Sequence, residues 1–311
     1  MQVYLGNGTE LNIAETKTAV ALGNFDAMHI GHMGIIQNAV DYAKENGIKS
    51  LVYMFSDSPA EFITGKKIPA VNSMEKRLEI LQNCGVDIVV AEEFGSEIMN
   101  MSCEDFADKY LKDRFNAAYV AVGYNYRFGK GGAGDAEMLK KLCAKRGIEA
   151  CAIPEIKVNG KTVSSTVIRK LIADGNPAEA AELMGRFYSI SGKVVRGNGI
   201  GKKALGFPTA NIPLPKDSPV PKFGVYVSRT FVDGSSYPSI TNIGGKPTIE
   251  ENATLIETHI DEDFQDLYGI DIEIEICDFI RDIIKFEGKD ALIIQLEKDK
   301  KHMREYFKQE V

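Results

Sequence analysis

Over the first 185 residues, short apolar runs alternate with segments in which apolar positions recur every three or four residues. The apolar runs predict strands, which are residues 18–23, 51–55, 86–91, 119–123 and 148–153. The other segments predict helices, which are residues 30–46, 73–84, 103–114 and 136–146, then two short helices from about Ser164 and from Pro177. Continuous apolar strands are typical of sheets covered on both faces. The alternation therefore predicts a doubly wound parallel sheet.

The pattern becomes strand-rich after residue 186. The predicted strands are residues 188–196, 224–232, 237–243, 254–261 and 270–280. Turn signals such as Asp233-Gly234 separate them, which favours a small antiparallel β-barrel. A final helix over residues 289–308 places four apolar side chains on one face, Leu292, Leu296, Met303 and Phe307. We therefore predict two domains, residues 1–185 and residues 186–311.

The composition is that of a globular protein, with 311 residues of which 44% are hydrophobic and 26% charged. The net charge is −7 and no long basic run is present, so we expect no nucleic-acid partner. The five cysteines lack C-x-x-C spacing, which indicates reduced thiols rather than a zinc site or disulfide framework. Neither a signal peptide nor a membrane span is recognisable. We expect a cytoplasmic protein that binds small molecules, with no membrane partner, as a monomer or weak homo-oligomer.

Residues 23–32, Gly-Asn-Phe-Asp-Ala-Met-His-Ile-Gly-His, end a predicted strand and begin a predicted helix. Free backbone N–H groups and the helix dipole make such a position favourable for phosphate. His29 and His32 are three residues apart, so their rings face the same side of the first turn. There they can donate to a triphosphate and to charge that develops at its α-phosphorus. The competing interpretation is a chance H-x-G-H in a loop.

This segment resembles the G-x-F-D-G-x-H-x-G-H motif of the nucleotidyltransferase superfamily. More narrowly, it is similar to the N-terminal domain of prokaryotic bifunctional riboflavin kinase/FAD synthetases. The resemblance implies a Rossmann-like domain that adenylylates FMN to FAD with ATP and releases pyrophosphate. It implies catalytic roles for His29 and His32. It also implies that the other motif residues bind the nucleotide, namely Gly23, Phe25, Asp26 and Gly31.

Two further segments resemble the same family. Residues 163–169, Val-Ser-Ser-Thr-Val-Ile-Arg, are similar to its S-S-T-x-I-R signature. Hydroxyls at a helix start and an arginine can hold the β- and γ-phosphates of the leaving pyrophosphate. The residues so implied are Ser164, Ser165, Thr166 and Arg169. Residues 123–129, Gly-Tyr-Asn-Tyr-Arg-Phe-Gly, resemble the stretch G-x-[D/N]-F-x-F-G, which implies that Asn125 lies near the bound flavin nucleotide.

The chain departs from the family at two positions of this domain. Ala27 stands where relatives usually have glycine, and Ser58-Pro59 stands where they often have a His-Pro pair. If the missing histidine holds the phosphate of FMN, the adenylylation step is weakened or altered in this chain.

The C-terminal half carries a second motif, Leu-Gly-Phe-Pro-Thr-Ala-Asn at residues 205–211, preceded by glycines and lysines. The glycines alone predict no more than turns between barrel strands. Together the run resembles the riboflavin kinase loop G-x-G-x-x-L-G-x-P-T-A-N, which implies that Thr209 and Asn211 bind Mg²⁺ and ATP phosphates. Oxygen ligands suit magnesium. The remaining nucleotide-binding residues implied by the family are Gly197, Gly199, Lys202, Pro208 and Arg281.

Glu257 is the general base implied by the resemblance, and it would take the proton of the riboflavin 5′-hydroxyl. The competing interpretation is a solvent-facing glutamate on a strand. Beyond Arg281, Ile283 stands where the family usually has glutamate.

The matches cover nearly the whole chain in the family's order, and they imply an enzyme that makes FMN from riboflavin and then FAD from FMN. Three alternatives stay open at this point. In the first, only one half functions, which would leave a kinase. In the second, the chain is a flavin- or nucleotide-binding regulator without catalysis. In the third, it is a generic cytidylyltransferase or pantetheine-type adenylyltransferase, which leaves the C-terminal half unexplained.

Overall fold

A six-stranded parallel sheet forms the centre of the N-terminal part of the chain. The structure, a computed structural model, describes residues 1–8, 11, 16–196, 207–245, 254–262, 264 and 266–309. It divides into two compact units, Met1–Ser165 and Thr166–Val311. The parallel strands of the first unit are β1 (Gln2–Leu5), β2 (Thr18–Leu22), β3 (Lys49–Phe55), β4 (Ile88–Glu92), β5 (Ala117–Gly123) and β6 (Glu149–Ile153). Their order across the sheet is β1-β4-β3-β2-β5-β6, which confirms the predicted doubly wound fold.

Helices connect these strands and cover the sheet. They are α1 (Ile30–Asn46), α2 (Pro59–Thr64), α3 (Met74–Asn83), α4 (Ser96–Asn100), α5 (Cys103–Asp105) with its π-helical continuation Phe106–Arg114, and α6 (Ala136–Ala144). Ser102 and Asp135 cap the starts of α5 and α6, where their side-chain oxygens accept the N–H of Asp105 and of Met138. One apolar layer packs α1 and α3 against the sheet. The opposite layer packs α6 and the π-helix.

The strand order reverses at β2. The chain passes from β2 to β3 and β4 on one side and then returns to β5, which pairs with β2 on the other side. The carboxyl ends of β2 and β5 are therefore neighbours. In open α/β sheets, ligands bind in the crevice outside the strand ends at such a reversal. The histidine motif follows β2 and Asn125 follows β5 at this crevice.

The second unit contains a six-stranded antiparallel sheet that closes almost completely into a barrel. Its strands are β9 (Tyr188–Lys193), β10 (Ala210–Pro213), β11 (Gly224–Val232), β12 (Ser235–Gly245), β13 (Thr254–Ile260) and β14 (Asp271–Arg281), in the order β10-β13-β12-β11-β14-β9. An antiparallel bridge between Val195 and Asn211 links the two edges. Asp233 and Gly234, with φ angles of 47° and 80°, form the predicted two-residue turn between β11 and β12.

Three helices complete this part of the chain, α7 (Ser165–Asp174), α8 (Pro177–Met184) and α9 (Lys289–Gln309). Asn176 occupies the N-cap position of α8 without a side-chain cap bond, and α8 packs against β9 and β14. On the outer barrel face, Met303 of α9 is fully buried against residues of β11, β12 and β14. The predicted barrel with its terminal helix is confirmed.

The sequence did not predict several short elements, namely β1, β10, α2, α4 and a small hairpin of β7 (Lys157–Val158) with β8 (Lys161–Thr162). The strand β1 has only four residues, and its Val3 and Leu5 are 39% and 57% exposed at the sheet edge, so its apolar run is too short to predict a strand. β10 lies at the barrel edge and ends in Pro213, a residue that argues against a strand unless it is at an edge. The domain boundary at residues 185 and 186 stays a prediction.

Candidate active sites

The turn between β2 and α1 places the two motif histidines together. His29 is the N-cap of α1, and its Nδ1 accepts the backbone N–H of His32 at 3.1 Å. The imidazole rings of His29 and His32 stack, with centroids 3.5 Å apart and planes 19° apart. Because Nδ1 of His29 is an acceptor, its neutral ring carries the proton on Nε2. Both rings thus lie at the helix N-terminus, where the dipole favours anions.

Phe25 and the glycines shape this turn. The Phe25 side chain is fully buried and meets the His32 ring edge-on, with centroids 5.3 Å apart. A Cβ on Gly23 would lie 2.7 Å from the Phe25 ring, and a Cβ on Gly31 would lie 3.2 Å from the His29 ring. Packing therefore disfavours any larger residue at Gly23, and at Gly31 a larger residue would press on the His29 ring.

The departure at Ala27 is accommodated by the local backbone. Positive φ angles occur at Phe25 (48°) and Met28 (45°), and Ala27 has none. Its side chain is fully buried. Alanine therefore does not strain the backbone of this turn.

Buried hydrogen bonds stabilise the turn between β2 and α1. Asp26 Oδ1 accepts the N–H of Val71 at 2.8 Å, and Asn72 donates to the carbonyl of Asp26. The buried guanidinium of Arg77 donates to the carbonyls of Asn24, Phe55 and Ser56, which follow β2 and end β3. Asp26 and Arg77 therefore fix the crevice at the strand ends. For Asp26, this structural role stands beside the predicted nucleotide-binding role.

A cavity of about 550 Å³ opens at the strand reversal. Its lining contains His32 and the ends of β2 and β5. Seven phenylalanine and tyrosine side chains make its wall largely apolar, Phe25, Tyr53, Phe55, Phe94, Phe106, Tyr126 and Phe128. Polar groups enter from Asn24, Asn125 and Arg127. Large planar ligands with a few polar groups suit such a site.

Two features of the cavity wall concern hydrogen bonding. Tyr53 donates to Glu92 Oε2 at 2.9 Å, and Arg114 pairs with the other carboxylate oxygen. Burial and then the Glu92 carboxylate raise the pKa of Tyr53 far above its usual value, so its hydroxyl stays protonated. By contrast, Asn24 Oδ1 is buried and has no hydrogen-bond partner among the described residues. This oxygen is available to a ligand donor.

The hydroxyl-rich segment lies at the start of α7. This helix begins at Ser165, directly after Ser164. Thr166 and Arg169 are three residues apart in its first turns, so they lie on one side of the helix. Such a grouping suits an anion, and phosphate binding by these residues stays a prediction.

In the barrel, three polar residues form a row across neighbouring strands. Glu257 of β13 pairs directly with Asn211 of β10 on one side and with Asn242 of β12 on the other. Directly paired residues share a face, so the three side chains project together. Asn242 Nδ2 donates to Glu257 Oε2 at 3.5 Å. The sheet register thus places the predicted base beside one of the predicted magnesium ligands.

The Pro208–Asn211 segment adds oxygens to this row. Asn211 is 4% exposed, and its Nδ2 donates to the Thr209 carbonyl at 3.3 Å. Its Oδ1 is buried without a partner in the described parts of the chain. Thr209 and Pro208 also line a cavity of about 90 Å³ with Thr258. Pro208 in turn accepts a hydrogen bond from His259 Nδ1 at 2.9 Å.

The structure gives Arg281 a partner inside the protein. Its guanidinium contacts the carboxylate of Asp299 on α9, at 2.7 Å from Nη2 to Oδ2. Gln295 donates to the same carboxylate at 2.8 Å, and Asp299 is 1% exposed. The Arg281–Asp299 contact holds α9 against β14. Nucleotide binding by Arg281 stays a prediction. Gly197, Gly199 and Lys202 lie outside the described residues.

Several site residues were missed from the sequence. The sequence assigns no role to Asn242 or His259, and their contacts in the site follow only from the strand register. Phe25, Tyr126 and Phe128 of the cavity wall belong to the motifs at residues 23–32 and 123–129. No local motif marks the other aromatic residues of the wall, which are Tyr53, Phe55, Phe94 and Phe106. Arg77 looks like an ordinary surface residue of a polar helix, yet it is 4% exposed.

The fold, the histidine pair at the β2–α1 turn and the row of polar residues in the barrel define a two-domain, nucleotide-dependent transferase. The FAD synthetase family model matches residues 12–167, and the riboflavin kinase family model matches residues 184–307. Bifunctional riboflavin kinase/FMN adenylyltransferases from Listeria monocytogenes and Escherichia coli strain K12 are 33% and 32% identical over 291 residues, covering 93% of this chain and 92% of each relative. The chain therefore belongs to the family of bifunctional riboflavin kinase/FMN adenylyltransferases, whose two activities convert riboflavin to FMN and FMN to FAD.

A solved structure is similar along its whole length. It is described as a macrolide-efflux protein from Streptococcus pneumoniae, and it has a TM-score of 0.88 at 28% identity. The match covers 98% of this chain and 99% of that chain. In the described ranges of the present chain, no helix is both long and apolar enough to cross a membrane.

Proposed function

We propose that the two activities are divided between the two sites, with adenylylation at the β2–α1 turn and phosphorylation at the Asn211–Glu257–Asn242 row. The observation that carries the kinase assignment is the register that pairs Glu257 with Asn211. For the adenylyltransferase, it is the stacked histidine pair beside a flavin-sized cavity at the strand reversal.

In the adenylylation step, a phosphate oxygen of FMN attacks the α-phosphorus of ATP, and the bond to pyrophosphate breaks. His29 and His32 donate hydrogen bonds to the charge that develops at the α-phosphate. The cavity holds the flavin ring among its aromatic side chains, with Asn125 near the flavin nucleotide. Residues at the start of α7 bind the leaving pyrophosphate, namely Ser164, Ser165, Thr166 and Arg169. Positioning carries this reaction, because no covalent enzyme intermediate is needed.

In the phosphorylation step, the riboflavin 5′-hydroxyl attacks the γ-phosphorus of ATP, and ADP leaves. Glu257 accepts the hydroxyl proton as general base. Asn242, which donates to Glu257, orients that carboxylate. The glycines and lysine before the Pro208–Asn211 segment, Gly197, Gly199 and Lys202, bind ATP phosphates in this proposal.

Magnesium fits the donor set of the kinase site. Asn211 Oδ1 is a buried oxygen whose hydrogen-bonding capacity is unused in the described residues, and the Thr209 hydroxyl oxygen comes from the same segment. Those residues contain no cluster of three or more His, Cys, Asp and Glu side chains. Mg²⁺ is commonly bound by few protein oxygens together with substrate phosphates. Bound there, it would neutralise phosphate charge during transfer.

The cellular setting of the protein is also part of this proposal. All five cysteines are free thiols in the structure, which supports a reducing, cytoplasmic location. We also propose a monomer or weak homo-oligomer, to be tested by sedimentation. The match limits of the two family models support a domain boundary near residue 185.

A time course tests the division of activities. The purified full chain is incubated with riboflavin, ATP and Mg²⁺, and riboflavin, FMN and FAD are resolved by chromatography. We expect FMN first and FAD after it. FMN that accumulates without FAD would indicate an impaired N-terminal site and direct attention to Ser58. No conversion would refute the assignment of both sites.

A further inference from the structure

His259 is the one histidine of the described barrel strands, and it lies on the strand that carries Glu257. The two residues are separated by Thr258 in β13, so their side chains project from the same face. His259 Nδ1 lies 2.9 Å from the carbonyl oxygen of Pro208. This contact joins the strand of the proposed base to the segment of the proposed magnesium ligands.

The hydrogen bond fixes the protonation pattern of the ring. A carbonyl oxygen only accepts, so His259 Nδ1 must carry a proton. Nε2 is buried and has no hydrogen-bond partner in the described ranges. Burial lowers the pKa of His259, although the bond to Pro208 opposes that shift. The Phe207 ring packs on the imidazole with centroids 4.9 Å apart, so the ring is held on two sides.

The contact lies where the strand ladder does not reach. β10 begins at Ala210, whose partner in β13 is Thr258. Pro208 and Thr209 precede this first pair, so the β10–β13 register does not hold them. The His259–Pro208 bond therefore attaches β13 to the chain two residues before β10 begins, directly beside Thr209.

We propose that His259 is a positioning residue of the kinase site, which sets the place of Thr209 relative to Glu257 through the Pro208 carbonyl. This inference rests on the proposed function of Thr209, Asn211 and Glu257. It acts on the segment that binds Mg²⁺ and ATP rather than on the flavin. Loss of the bond should therefore weaken binding of magnesium–ATP more than binding of riboflavin.

Two substitutions separate the hydrogen bond from the volume of the ring. His259→Asn places an amide N–H close to the position of Nδ1, whereas His259→Leu retains an apolar side chain without a donor. His302→Asn, at an exposed position on α9, is the control. We expect the leucine variant to raise the KM for magnesium–ATP about tenfold, the effect of losing one well-placed hydrogen bond. We expect the asparagine variant to stay within about threefold of the parent.

An unchanged KM for riboflavin is the folding control for the barrel of each variant, and FMN adenylylation by the other domain should keep its rate. A second readout does not depend on turnover. In ¹⁵N spectra of the histidine rings, of which the chain has four, the His259 signals should show the Nδ1–H form. Calorimetry with Mg²⁺ and ADP should show weaker binding by His259→Leu than by His259→Asn.

The outcomes are distinct. Equal kinetics for the leucine and asparagine variants would overturn the positioning role, as would an Nε2–H form in the spectra. A uniform loss in every kinetic parameter, including the KM for riboflavin, would also overturn it. Thr209→Ala tests the underlying site. If that variant binds magnesium–ADP normally, the proposed metal site fails and the inference fails with it.

Discussion

At the scale of single residues, Gly31 of the β2–α1 turn leaves space for the ring of His29. A Cβ on Gly31 would lie 3.2 Å from the His29 ring, whereas a Cβ on Gly34 would lie 3.5 Å from Ile156. Gly31→Ala should therefore displace the His29 imidazole, the proposed catalytic group, and slow FAD formation about tenfold or more. Gly34→Ala is the matched control in the same helix and should gain roughly 0.5–1 kcal/mol of stability. FAD formation from FMN and thermal unfolding measure both effects. Equal activity of the two variants would contradict the packing argument.

Glu257 is tested by removing its charge while its shape is retained. Glu257→Gln should lower FMN formation by a factor of about 10²–10⁴, the usual contribution of a general base. Riboflavin binding, followed by quenching of its fluorescence, should remain. Asp271→Asn removes a carboxylate that is 75% exposed on β14 and should leave the rate unchanged. A Glu257→Gln variant that turns over normally would assign the proton to another acceptor.

The sequence predicted those site residues that lie in one continuous segment. His29, His32 and Gly31 are within four positions, and their chemistry follows from the start of a helix. Asn242 is 15 residues from Glu257 and donates to it only because β12 and β13 pair in one register. Register depends on contacts across the whole barrel, so local pattern does not reveal such partners.

At the scale of elements, the sequence predicted the continuous apolar strands and the capped helices. It did not predict the short strands at the edges of the two sheets. The predicted α1 agrees with the observed Ile30–Asn46, because its N-cap side chain and apolar face are both local signals. Short edge strands such as β1 and β10 depend on a neighbour for their hydrogen bonds. The position of Asp299, a buried acid within the amphipathic α9, is likewise explained by its partners, which are Arg281 of β14 and Gln295.

The end of β13 is tied to α9 by charge, and this attachment gives a pH dependence. Asp261 contacts Lys300 Nζ at 2.8 Å and Arg304 Nε at 2.6 Å. The hydrogen bond from Arg304, with further support from Lys300, lowers the pKa of Asp261 to about 2. A depressed carboxylate pKa stabilises the fold above the unfolded value of about 4, and that stability is lost as pH falls toward 2.

Asp261→Asn should therefore destabilise the barrel at pH 7 by about 1–2 kcal/mol, a figure reduced because Arg304 is exposed. The variant should also lose less stability than the parent between pH 4 and pH 2. Thermal unfolding across this range measures the effect, with the barrel transition assigned by loss of kinase activity. Asp271→Asn, which breaks an exposed pair with Lys193, is the control. A parallel pH dependence in parent and Asp261→Asn would contradict the attachment.

At the scale of the whole molecule, the histidine pair and the row that carries Glu257 lie in different units. The histidine pair, the crevice and its cavity belong to Met1–Ser165, and the Asn211–Glu257–Asn242 row belongs to Thr166–Val311. The change of pattern near residue 186 predicted this division into two fold types. It could not predict the cavity, whose wall is assembled from residues distant in sequence.

The division predicts that one activity can be removed while the other remains in the full chain. His29→Asn keeps a side-chain acceptor for the N–H of His32, so the cap of α1 is retained while the imidazole is lost. FAD formation should fall by about 10²–10³, the cost of losing one charge-stabilising donor. FMN formation should continue at the parental rate, so FMN accumulates where the parent consumes it. His302→Asn controls for the loss of any histidine. If FMN and FAD formation slow together in His29→Asn, the two steps do not have separate sites, because a change at the β2–α1 turn would then reach the chemistry of the barrel.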